Sequence, residues 1–174
     1  MLIRFTVSNF LSFKDETEFN MLTGDVKRHP HHVYKREHID VLRAAAIYGA
    51  NGAGKSNLIK AISMLIDIVN GYNEVLDYHQ KFKLSKENLT KPTHLEIEFE
   101  INNISYAYGL EFYSDRISEE WFYKLGFEKD DEIIFERKTD ENHKHKLILA
   151  DKYLLNERDK FFVEFYEEYK LPRH

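Results

Sequence analysis

The sequence contains no cysteine, which excludes a disulfide scaffold and a thiolate metal site and fits a reducing, cytoplasmic setting. No apolar run approaches the length of a membrane span. The Met1-Leu-Ile-Arg opening has neither the basic nor the apolar region of a signal peptide, so no membrane partner is expected. A basic excess is also missing. With 25 Lys and Arg against 30 Asp and Glu, the formal net charge of −5 does not announce a nucleic-acid-binding domain. The local basic pairs Lys27-Arg28 and Lys35-Arg36 read as solvated surface, and no internal repeat or low-complexity segment is visible. What is present is 174 residues at 43% hydrophobic content, enough for one core and one domain spanning 1–174.

One stretch organises the rest. Gly49-Ala50-Asn51-Gly52-Ala53-Gly54-Lys55-Ser56 matches the phosphate-binding pattern G-x-x-x-x-G-K-[ST] at every fixed position. A tight loop that points its N–H groups inward needs glycines that tolerate positive φ and close approach. A following helix presents unpaired amides and its positive dipole end to the β-phosphate. Lys55 then supplies a cation to the β/γ oxygens, and the Ser56 hydroxyl is placed to ligate Mg²⁺. The cofactors expected are therefore ATP and Mg²⁺, with Asn57 completing the binding set. Residues 41–48 are apolar almost throughout, as a strand covered on both faces should be. Leu58, Ile62, Leu65 and Val69 recur at helical spacing, with Asn70-Gly71 closing the helix.

Elsewhere, Ile3, Phe5 and Val7 alternate with polar residues in a half-buried strand, and residues 17–22 read as a second strand returning antiparallel. Residues 23–40 form a long polar loop holding His29-Pro30-His31-His32, either a weak metal cluster or a mobile surface loop near the nucleotide. Residues 72–92 read as connector. Leu95, Ile97, Phe99 and Ile101 alternate with His94, Glu96, Glu98 and Glu100, and Asn102-Asn103 supplies a two-residue turn. Ile104, Tyr106, Tyr108, Leu110 and Phe112 continue that face. Further strands fall at 117–125, 133–137 and 146–150, giving an antiparallel meander over 93–150. Phe162, Phe165, Tyr166 and Tyr169 predict a closing helix over 156–170, ended by Pro172. The fold class expected is α/β, a P-loop NTPase with an antiparallel β-subdomain.

The opening strand with Asn9-Phe10-x-Ser12-Phe13, and the run from Ile47 through Leu58 around the phosphate loop, resemble the start of ABC-type ATPases of the SMC/RecF/OLD group. The nearest likeness is to bacterial AAA family ATPases of anti-phage defence systems, and Tyr106-x-Tyr108 with Ile117-x-x-Glu120-Trp121 is similar to their β-subdomain. The resemblance implies ATP held between two such heads, the loop of one facing a signature segment of the other. It also implies a Walker B strand ending in Asp-Glu, which this sequence lacks. The run from Leu147 to Asp151 mimics one, yet Lys152 stands where the catalytic Glu belongs, and no signature appears after residue 90. Asp151 is therefore either an Mg²⁺ carboxylate or, as favoured here, a residue entering a helix.

The resemblance thus implies the N-terminal lobe of a head that needs a C-terminal lobe from elsewhere, with the catalytic base unassigned. Its expected partners are a second head, as homodimer or larger oligomer, a nuclease effector, and DNA or RNA. The alternative is a nucleotide-binding structural or sensing module without turnover. A small-molecule kinase or GTPase is the third reading, opposed by the meander and by the lack of a guanine-reading Asn-Lys-x-Asp.

Overall fold

The computed structural model describes residues 1–24, 29–71, 80–154 and 160. The basic pair at 27–28 and, apart from the helical Lys160, the closing helix expected over 156–170 lie outside the described residues.

Strands β1 (Leu2–Ser8), β2 (Thr17–Asn20), β5 (Thr93–Ile101), β6 (Ile104–Phe112), β7 (Ile117–Lys124), β8 (Glu132–Thr139) and β9 (His145–Leu149) form one sheet. Its order is β2-β1-β5-β6-β7-β8-β9, and every pairing is antiparallel. The N-terminal strand pair and the meander, separate units in the sequence, therefore fuse through β1 and β5, with Val7 opposite Leu95 and Phe5 opposite Ile97. Strands β3 (Val33–Lys35) and β4 (Asp40–Leu42) make a separate two-stranded sheet, and the only helix of more than one turn among the described residues is α1 (Lys55–Val69).

The alternation along β1, β5 and β6 is what lets α1 cover one face. Phe5, Val7, Leu95, Leu110 and Phe112 meet Leu58, Ala61, Met64 and Leu65 of the helix in a single buried cluster. Burying a Phe or Leu side chain contributes about 1.5–3 kcal/mol, so this contact holds α1 in place. The helix phase differs from expectation at its end: Val69 is 58% exposed, while Ala61 and Met64 are buried. On the opposite sheet face, Trp121 lies across Gly109, so close that a Cβ there would stand 2.3 Å from the indole. The β5–β6 turn is as expected, with Asn102 and Asn103 at φ 52° and 65° between the paired Ile101 and Ile104.

The described part of residues 23–40 is less loop-like than the sequence suggests. It contains a 3-10 turn, Pro30–His32, then β3 and the start of β4. Val41 and Met21 pack on Ile3, and Leu22 bridges to Val41, fastening this hairpin to the sheet edge. Arg36 is not simple solvated surface: its Nε reaches the buried Glu100 carboxylate at 2.8 Å.

Candidate functional site

The strand expected over 41–48 ends at Leu42, and residues 44–50 have no strand structure. Ile47 is 44% and Tyr48 91% exposed, so this run is not covered on both faces. The physical reason is pairing: a buried parallel strand needs a neighbour on each side, and among the described residues every strand pairing is antiparallel and none takes in 44–48.

The loop itself is well formed. Gly52 and Gly54 take φ 82° and 90°, and Ala53 N donates to Ala50 O at 3.2 Å. Lys55 folds back so that its Nζ donates to the carbonyls of Gly49 and Ala50, each at 2.8 Å. Gly54 is the N-cap of α1 and no side chain caps that end. Its early amides and dipole thus face outward beside an ammonium group, an arrangement suited to a polyphosphate. Ser56, in the first turn, is exposed, and its hydroxyl is of the chemistry that ligates Mg²⁺. These residues fit the expected ATP and Mg²⁺.

Two neighbours had no assigned role in the sequence reading. Ser12 Oγ accepts a hydrogen bond from Asn57 Nδ2 at 2.9 Å, so the Asn-Phe-Leu-Ser-Phe turn lies against the loop. Asn9, 2% exposed, ties that turn to the segment 80–93. The signal available was the abrupt loss of alternation after Ser8. In the same segment Lys81 is buried, its Nζ donating to Leu89 O at 2.9 Å, and burial pushes its pKa down from the ordinary lysine value.

Asp151 does not join the site, in line with the favoured reading of it as a residue entering a helical turn and against the alternative of an Mg²⁺ carboxylate. Five strand spacings separate β9 from β1, about 24 Å, and Asp151 follows the end of β9 remote from the loop. It opens a 3-10 turn, Asp151–Tyr153, while Lys152 pairs with Glu132. The meander's purely local connections carry it there. The rings of His29, His31 and His32 lie 4.3–6.0 Å apart, but among the described residues no group of three His, Cys, Asp or Glu is arranged to hold a metal. Arg43 N donates to His32 O at 2.8 Å, which places this cluster beside the run leading into the loop. No described helix is long and apolar enough to cross a membrane.

Among protein families, the model for the AAA domain of AbiEii toxin-like proteins (Type IV TA system) matches residues 44–155, nearly two-thirds of the chain. No curated protein matches the sequence.

Proposed function

Because the chain belongs to the AAA domain family of AbiEii toxin-like proteins, a family of nucleotide-binding, ATPase-like domains, we propose that it is the ATP-binding lobe of an ABC-type head of the SMC/RecF/OLD kind. The observation that carries this reading is the loop: Lys55 held at its mouth, uncapped α1 amides behind it, and Ser56 open beside it. Lys55 would leave the two carbonyls for β/γ oxygens, the amides would bind the β-phosphate, and Ser56 would hold Mg²⁺, whose charge screens the phosphates when bound.

Support for a further lobe comes from the side of α1 away from the sheet. Ile59, Ile66 and Val69 are 57%, 49% and 58% exposed, and the apolar run 44–48 stands without strand partners among the described residues. Exposed apolar surface of this kind marks an interface. A second layer there, from the same polypeptide or another, would pair 44–48 and bring the Walker B carboxylate and signature. In this reading two heads close on ATP and regulate or power a nucleic-acid-directed effector, a nuclease by preference, with phage defence as the setting. The second reading, a module that binds without turnover, is favoured by the remote placement of Asp151.

A titration of the 174-residue chain with a fluorescent ATP analogue tests the core of the proposal. The wild type should bind, and Lys55→Ala should bind several-fold to hundreds-fold more weakly, about 1–3 kcal/mol for a charge-assisted contact. Equal affinities would remove the loop from any nucleotide role.

A further inference from the structure

Residues 9–13 form a turn more constrained than a strand connection requires. Asn9 and Leu11 both stand in the left-handed region, at φ 51° and 49°. Asparagine tolerates that region, but a leucine does so at a steric cost. Such strain persists only where the surroundings over-determine it, and it gathers at functional positions.

The surroundings here do so. Phe10 and Phe13 exchange backbone bonds at 3.0 and 2.8 Å. Asn9 Nδ2 donates to the carbonyls of Asn88, Lys91 and Pro92 at 2.8, 3.0 and 3.0 Å, and its Oδ1 accepts from Phe82 N at 3.3 Å. Thr93 Oγ1 donates to Asn9 O at 2.9 Å, and Leu11 N to Gln80 O at 2.8 Å. One side of the turn is locked to the segment 80–93.

The other side delivers Ser12. Its Oγ accepts from Asn57 Nδ2 at 2.9 Å and lies 3.0 Å from where a Cβ on Gly54 would stand. Gly54 caps α1 and Asn57 is its third residue, so Ser12 touches both ends of the first helical turn. The amides of that turn are the ones that face a phosphate.

We infer that Ser12 is a positioning residue for phosphate binding, setting the aim of the first-turn amides of α1 through Asn57 and Gly54. The inference rests on the nucleotide-binding reading. It gives Leu11 a reason for its left-handed backbone, since only so tight a turn brings the hydroxyl to the helix start. It also gives Asn57 a partner within the protein in place of the direct nucleotide contact implied by its position in the motif.

The test is one titration series on the 174-residue chain with the same fluorescent ATP analogue, using wild type, Lys55→Ala, Ser12→Ala, Asn57→Ala, the Ser12→Ala/Asn57→Ala double variant and Ser12→Thr. Ser12→Ala and Asn57→Ala should each weaken binding about 3–10-fold, as for one neutral hydrogen bond. The double variant should be no more than about twofold weaker than the poorer single one, because both remove the same contact. Ser12→Thr keeps the hydroxyl and should restore affinity. Nucleotide-free melting temperatures should stay within about 2 °C of wild type, which a merely structural bond would not allow alongside lost affinity. Wild-type affinity in Ser12→Ala, with binding still lost in Lys55→Ala, overturns the inference and leaves the nucleotide reading standing. Losses that multiply in the double variant, or that track a fall in melting temperature, also overturn it. If wild type itself does not bind, the nucleotide reading fails and this inference with it.

Discussion

Phe5, Leu95, Leu110 and Phe112 are fully enclosed where α1 meets the sheet, whereas residues 44–53, the start of the same helix's own entry loop, are exposed at every position. Both regions are rich in apolar residues, so composition does not separate them. Pairing does. Each strand of the sheet finds its neighbour across a short turn or through β1–β5, and the residues before the phosphate loop find none among those described. Stability is thus concentrated in the sheet and α1, and ligand chemistry in a segment that contributes little to the core. Substitutions in the two regions should move different observables.

The largest effect concerns turnover. With Asp151 at the far edge of the sheet and no Walker B strand beside the loop among the described residues, the 174-residue chain should bind ATP yet hydrolyse it at close to background. Loss of water-orienting groups costs on the order of 10³–10⁵ in rate. Phosphate release would measure it, with activity returning when the proposed second lobe is supplied. Robust turnover abolished by Asp151→Asn would break the comparison, because a residue of the sheet's far edge would then be catalytic.

Next is a pure sheet effect. Gly109→Leu drives a side chain into Trp121 and should cost about 3 kcal/mol by overpacking, read from denaturant or thermal unfolding. Nucleotide affinity of the fraction that remains folded should be unchanged. The converse is Lys55→Ala. It should lower affinity by about 2 kcal/mol while leaving the melting temperature near wild type, since its Nζ contacts only loop carbonyls. A matching fall in stability would show the loop to be part of the core. The smallest effect is Asn103→Val, where a β-branched residue at φ 65° should cost about 1–2 kcal/mol in melting without altering binding.

Much of this was legible because it is local. Alternation in β5 and β6 shows in every second residue, the Asn-Asn turn declares positive φ, and the phosphate loop is written into eight consecutive positions. What escaped depends on distant partners. Residues 41–48 look like a buried strand, yet whether a strand forms is decided by neighbours the segment does not encode. The helix keeps the expected phase at Leu58, Ile62 and Leu65 and departs from it only at Val69, because Ile59, Ile66 and Val69 extend its apolar surface beyond one face. Such a helix has no unique inward face until the sheet selects one. Arg36 with Glu100, and Asn9 with Asn88, pair across more than sixty residues, and no short-range pattern announces such contacts.

Trp121 carries a last consequence. It is the chain's single tryptophan, half-buried on the sheet face away from α1, with Nε1 donating to Glu96 Oε2 at 2.8 Å and its ring 5.5 Å from His94. Its emission is therefore an intrinsic optical label for the sheet alone. The spectrum should shift red when the strands come apart and stay still when the phosphate loop fills. A single cuvette could then follow unfolding by indole light and nucleotide capture by the analogue's own colour, each channel silent to the other.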